Sequence, residues 1–104
     1  MTRRAFKMQL KPGQAAEYKA RHDALWPDML RELEAAGISD YSIYLEEATG
    51  TLFAFQKLKD HHTAKDLPTT AIVKKWWQYM GDIMETNADN SPVAIDLTEV
   101  FHMD

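Results

Sequence analysis

The chain contains no cysteine. Disulfides and thiolate chemistry are excluded and the commonest zinc ligand is missing, although a lack of cysteine does not by itself fix a compartment. Glycine is scarce, with four residues spread singly at turns. A glycine-rich loop able to cradle a nucleotide phosphate is therefore not available. No apolar run approaches the length a bilayer requires, so a membrane-spanning role is not expected. Positive charge is the minority, 12 Lys and Arg against 16 Asp and Glu, for a formal net charge of -4. Nucleic-acid binding needs a concentrated basic excess, and the basic residues here are scattered. Arg3-Arg4 has the look of a twin-arginine export signal, yet the following Ala-Phe-Lys-Met-Gln-Leu alternates and offers neither a hydrophobic region nor a cleavage site. A cytoplasmic location is the default expectation.

What is present has a globular balance: 104 residues, 45% hydrophobic and 27% charged. Such a chain reads as one domain, residues 1–104, large enough to bury about two-thirds of its unfolded surface. Residues 3–10 alternate, with Phe6, Met8 and Leu10 on one face, which predicts a strand. Lys11-Pro12-Gly13 turns the chain. Ala15, Tyr18, His22, Leu25, Met29 and Leu33 then recur at steps of three or four, a helical stripe turned toward a core. Pro27 removes the donor that would bond the carbonyl of Asp23 and pushes Trp26 out of helical angles, so two helices meet there, Pro27 opening the second. Gly37 is placed to stop it.

Period two returns over residues 38–46, Tyr41, Ile43 and Leu45 opposing Ser42, Tyr44 and Glu46. Ala48-Thr49-Gly50 is a tight turn into a third strand, residues 52–58, so these two strands form a hairpin. Asp60 is placed to cap a short helix through His61-His62 to Leu67, ended by Pro68, and Thr70 to cap the next. That helix carries Val73, Trp76, Trp77, Met80, Ile83 and Met84. Adjacent tryptophans point about 100° apart, so one of the two lies near the edge of the stripe. Residues 85–92 read as loop and 93–102 as a fourth strand. The order is that of a ferredoxin-like, split β-α-β fold of the α+β class, with helices on one face of an antiparallel sheet. Apolar residues remain on the other face, which predicts a homodimer.

His22 is the residue whose chemistry stands out, because it occupies a position meant to be buried, one turn from Tyr18. The plainer reading is a helix-terminal histidine bonding loose carbonyls, and the pattern favours it. A metal site is poorly supported, since His61 and His62 would diverge and no helix carries two histidines four apart. Serine and threonine show no nucleophile-elbow context. The remaining candidate set is Tyr18, His22, Tyr41, Trp76 and Trp77, which suits a sugar: flat rings stack on a pyranose, and phenol, indole and imidazole groups bond its hydroxyls. The same rings also read as an aromatic core, and helical spacing by itself favours that reading. Pattern alone leaves both open.

At these residues the sequence resembles the L-rhamnose mutarotase family over nearly its whole length. The resemblance is carried by Glu17-Tyr18 with Arg21-His22, Trp26-Pro27, Tyr41 with Ile43-Tyr44-Leu45, Leu52-Phe53-Ala54, Trp76-Trp77 with Tyr79-Met80, Asp89-Asn90-Ser91-Pro92, and Glu99-Val100-Phe101. Residues 59–70 carry none of it. The resemblance implies a cytoplasmic, dimeric α+β-barrel enzyme that interconverts the α and β anomers of L-rhamnose without a cofactor. It implies that His22 is the proton donor and that Tyr18, Tyr41, Trp76 and Trp77 bind the sugar. An ordinary histidine, with a pKa near about 6.5, is roughly one-quarter protonated at pH 7 and can give and recover a proton. A base is not singled out; a tyrosine, a carboxylate such as Asp96, or water would serve. Two other readings stay in view: a non-catalytic small-ligand-binding module, and a small cofactor-free monooxygenase on the same scaffold.

Overall fold

A computed structural model describes all residues, Met1–Asp104. The elements run β1 (Thr2–Gln9), α1 (Ala15–Asp23), α2 (Pro27–Ala35), β2 (Ile38–Glu46), β3 (Thr51–Leu58), α3 (Ala71–Met80) and β4 (Ile95–Leu97), with a 3₁₀ turn at Ala64–Thr69 before α3. The four strands form one sheet in the order β2-β3-β1-β4, every neighbouring pair antiparallel. This is the split β-α-β arrangement expected from the element order. No helix is long and apolar enough to cross a membrane.

Alternation decides which side chains meet the helices. Phe6 and Met8 of β1 pair in register with Ala54 and Leu52 of β3, and these four join Tyr18, Met29, Val73, Trp76 and Met80 in one buried cluster. The odd-numbered side chains of β1 and β3 point the other way, together with Tyr44, Ile95 and Leu97 of the flanking strands. That second face has no cover within the chain. It holds Tyr44 edge-on against Phe55, ring centroids 5.8 Å apart.

β2 departs from simple alternation. Its register with β3 shifts between Ser39 and Ser42, and Asp40 takes a positive φ of 46°. The bulge sets two residues, Asp40 and Tyr41, across from Gln56. Ile38 and Tyr41 thereby share the helix-side face, although their odd spacing would otherwise part them.

Four further expectations are corrected. Asp60 caps no helix: His61 has φ 59°, a left-handed angle that cannot begin a right-handed helix, and the 3₁₀ turn starts only at Ala64, with Pro68 inside it. Asp60 instead accepts the N-terminal ammonium at 3.2 Å. Thr70 occupies the N-cap position of α3, but its hydroxyl donates backward to the carbonyl of Leu67 at 2.8 Å. α3 ends at Met80; Ile83 and Met84 stay buried on the following turn, where the backbone joins the end of β1 through Lys11 N–H to Ile83 O (2.9 Å) and a Leu10–Met84 bridge. The fourth strand pairs over only three residues, and Val100, Phe101 and Met103 beyond it are exposed.

Candidate active site

The break between α1 and α2 forms as Pro27 dictates: Pro27 opens α2, and Trp26 before it is extended at φ -60°, ψ 131°. His22 thus lies in the last turn of α1, its ring leaning back along the helix toward Tyr18. Its Nδ1 is 3.1 Å from the carbonyl oxygen of Tyr18. A carbonyl only accepts, so Nδ1 carries the hydrogen and Nε2 is the nitrogen left to exchange a proton. The plainer reading puts the ring on loose carbonyls at the helix end; it bonds instead a carbonyl one turn back inside α1, and this bond sets the tautomer.

The imidazole stacks on Tyr18 (centroids 4.2 Å apart, planes at 26°) and meets the edge of Trp76 at 5.4 Å. Burial pushes the His22 pKa below the ordinary histidine value, and the bond to Tyr18 and the nearby Asp23 carboxylate only partly oppose it. The resting imidazolium fraction at pH 7 is accordingly smaller than the roughly one-quarter an ordinary histidine would show.

Tyr18 is buried, and burial raises its phenol pKa, with Tyr41 adding to the rise. Tyr41 remains 36% exposed overall, yet desolvation of its hydroxyl raises its pKa as well, against the opposing influence of the adjoining Gln56 side chain and of Arg4. Both phenols stay protonated near neutrality and act as hydrogen-bonding groups.

Trp76 is fixed from behind. It packs edge-on to Trp26 (5.0 Å) and tilted against Tyr79 (5.6 Å), while Trp26 and Tyr79 stack on each other at 5.3 Å. The Arg21 guanidinium lies 4.4 Å from the centre of the Tyr79 ring. It donates to the Tyr79 carbonyl (2.6 Å), to Asp82 (2.8 Å) and to Glu17 (2.9 Å). One residue thus ties α1 to the C-terminal end of α3, and its bonds hold the Asp82 carboxyl below its usual range. Trp77 is half-buried, the edge position expected for one of the tryptophans.

Tyr18, His22, Tyr41, Trp76 and Trp77 all line one cavity of about 1040 Å³, at or just above the top of the roughly 300–1,000 Å³ range of small-molecule sites. Its wall is mostly apolar, and the polar side chains on it include Arg4 and Gln56. Asp96 lies beside Phe6 in register, but its carboxylate binds Arg4 at 3.1 Å, is largely exposed, and does not line the cavity. His61 and His62 lie outside it as well, and no group of three His, Asp or Glu residues is placed to hold a metal. Sequence reasoning passed over Arg4 and Gln56. A polar residue interrupting the row Leu52, Ala54, Leu58 was the available signal for the second.

An antiparallel sheet with one face roofed by helices, enclosing an aromatic cavity with an orientable imidazole, defines a small-ligand α+β protein equipped for proton transfer. Comparison with known proteins narrows that class. The sequence model of one family, described as L-rhamnose mutarotase, matches residues 3–103. The L-rhamnose mutarotase of Bacteroides thetaiotaomicron is 59% identical over 104 residues, covering 100% of both chains. The crystal structure of an L-rhamnose mutarotase from Formosa agariphila superposes with a TM-score of 0.93 at 53% identity, covering 100% of both chains. A Mycobacterium tuberculosis protein shares the fold alone, with a TM-score of 0.60 at 14% identity over 98% of this chain and 97% of that one. The chain belongs to the L-rhamnose mutarotase family, and its enzyme class is isomerase.

Proposed function

We propose that the chain interconverts the α and β anomers of L-rhamnose by acid–base ring opening, with His22 as proton donor and Tyr18, Tyr41, Trp76 and Trp77 holding the sugar. The observation that carries this is the His22 geometry: an imidazole with Nδ1 tied to the Tyr18 carbonyl, packed between two aromatic rings on the wall of a cavity. In the reaction a proton passes from Nε2 of the His22 imidazolium to the ring oxygen. The anomeric hydroxyl gives its proton to a water molecule acting as base, since both phenols are protonated and Asp96 does not line the cavity. The C1–O5 bond breaks as C1=O forms. Rotation about C1–C2 and reclosure from the other side give the second anomer, so no net oxidation occurs and no covalent intermediate is needed. Positioned proton transfer contributes about 10²–10⁴-fold. The two phenols, neutral at working pH, suit hydrogen bonds to sugar hydroxyls, and the indoles suit its apolar face and its methyl group. We place the reaction in the cytoplasm, as the family resemblance implies.

The same reading takes the enzyme to be a homodimer, in which a second copy covers the open sheet face. What supports it is the apolar cluster Tyr44, Phe55, Ile95 and Leu97 on that face.

Saturation-transfer NMR on L-rhamnose tests the reaction and the residue together. The parent should speed exchange between the two anomeric signals at catalytic concentration, and His22→Ala should lose about 10²–10⁴-fold of that rate. A folded His22→Ala protein that equilibrates the sugar as fast as the parent overturns the assignment. If Trp76→Ala and Trp77→Ala both leave sugar affinity unchanged, the stacking role is wrong.

A further inference from the structure

Gln56 is the only buried polar side chain in the core, 6% exposed, and its Oε1 has no hydrogen-bond partner in the protein. It sits on β3 between Ala54 and Leu58, on the face turned to the helices, where both neighbours in that row are apolar. Across the sheet it faces Arg4 in register on one side and the bulge carrying Tyr41 on the other. The Gln56 side chain is near enough to the Tyr41 hydroxyl to favour its ionised form. Amide nitrogen and oxygen are interchangeable in shape, so whichever end meets Tyr41, the other is left unpaired. A buried polar group without a partner destabilises the fold, and an aliphatic residue there would spare it that cost. Gln56 also lines the cavity that holds His22, Tyr18 and Trp76.

We propose that Gln56 is a substrate-binding residue: its free amide end hydrogen-bonds a hydroxyl of the bound sugar, beside Tyr41, accepting from it if that end is Oε1 and donating to it if it is Nε2. This rests on the sugar-binding reading of the cavity and adds a contact from the sheet to those drawn from the helices. The unpaired atom is screened in this structure, and a turn about the terminal torsion of the side chain, which is soft, presents it to the cavity. Tyr41 comes onto the helix side by the alternation it shares with Ile43 and Leu45, and the pairing of Ser42 with Phe55 sets it opposite Gln56. The cavity thereby has two unlike walls. Trp76 and Trp77 face the apolar side of a sugar, while Tyr41 and Gln56 meet an edge that carries hydroxyls.

Gln56→Met keeps the side-chain length and removes the amide, and Gln56→Leu is the second variant should methionine pack badly. Thermal unfolding and saturation-transfer NMR over a range of L-rhamnose concentrations are measured on each. The expected result is a melting temperature equal to or above the parent's together with a KM raised about five- to tenfold, kcat staying within about twofold, as loss of one ground-state hydrogen bond predicts. A series of monodeoxy rhamnoses then identifies the hydroxyl: one analogue should bind the parent more weakly than rhamnose does, but bind the variant no more weakly. A variant with an unchanged KM overturns the proposal while leaving the rhamnose reading intact, and so does a variant that loses stability with no change in KM. A parent that fails to speed anomer exchange overturns the reading of the cavity, and this assignment falls with it.

Discussion

On the helix-covered face of the sheet, Phe6, Met8, Leu52, Ala54 and Leu58 are all 7% exposed or less, whereas the other face leaves Tyr44, Phe55, Ile95 and Leu97 between 37% and 65% exposed. Both faces come from the same strands by the same alternation. The covered face is completed by α1, α2 and α3 of its own chain, and the cavity opens within that layer. The open face sets these apolar side chains among Lys7, Gln9 and Lys57 and has nothing over it, which is why the proposed second copy belongs there. On the proposed dimer the difference separates two kinds of stability: one face would contribute to folding of the single chain, the other to association.

Substitutions matched across the sheet would break that separation if it is wrong. Leu52→Ala on the covered face should cost about 2–5 kcal/mol in urea unfolding, and by the same amount at every protein concentration above that needed for association. Phe55→Glu on the open face should weaken self-association by about 2 kcal/mol or more, read by sedimentation, and make the melting temperature insensitive to concentration. A parent that sediments as a monomer, or a Phe55→Glu protein as dimeric as the parent, would assign the open face some other role. Gly37→Ala acts on neither face but on the connection from α2 to β2. Its φ is +89°, and a Cβ there would lie 3.1 Å from the Cβ of His62, so a loss of about 1–2 kcal/mol or more is expected in the same unfolding assay.

The smallest effect sharpens the comparison on the covered face alone. Because burial lowers the His22 pKa in the folded protein, the unfolded chain takes up the proton first as pH falls. Above the ordinary histidine pKa this costs nothing; from there down to the lowered folded value, stability should decline. His22→Asn should remove that part of the slope, seen as the difference between the two proteins' melting temperatures against pH. In the same window, an acid role for His22 requires turnover to fall as pH rises through the lowered pKa.

Much of the architecture was legible because period and punctuation agree in this chain. Pro27 and Gly37 bound α2 where their backbone limits require, and the rows Phe6, Met8, Leu10 and Leu52, Ala54, Leu58 are the buried ones. Residues 59–70 were misread because Asp60 and Thr70 are residue types that cap helices, while an N-terminal ammonium and a neighbouring carbonyl compete for their oxygens. α3 was drawn too long since Ile83 and Met84 keep a helical spacing, although their backbone bonds go to the end of β1. The five candidate site residues were nameable from ring chemistry and family resemblance. Gln56 was not among them, for one polar residue in an apolar row is silent until its partners are seen.

The sequence by itself determined which residues face inward, because alternation and the helical stripe are written in side-chain type at fixed intervals. It determined equally that α1 must stop before Pro27, since that limit is covalent. Only the tertiary structure decided that Tyr41 lies across from Gln56, that His22 is wedged between Tyr18 and Trp76, and that Arg21 links α1 to the end of α3. Those depend on strand register and on contacts between groups as many as 61 positions apart along the chain. Distances of that kind are set by packing, which no local interval records.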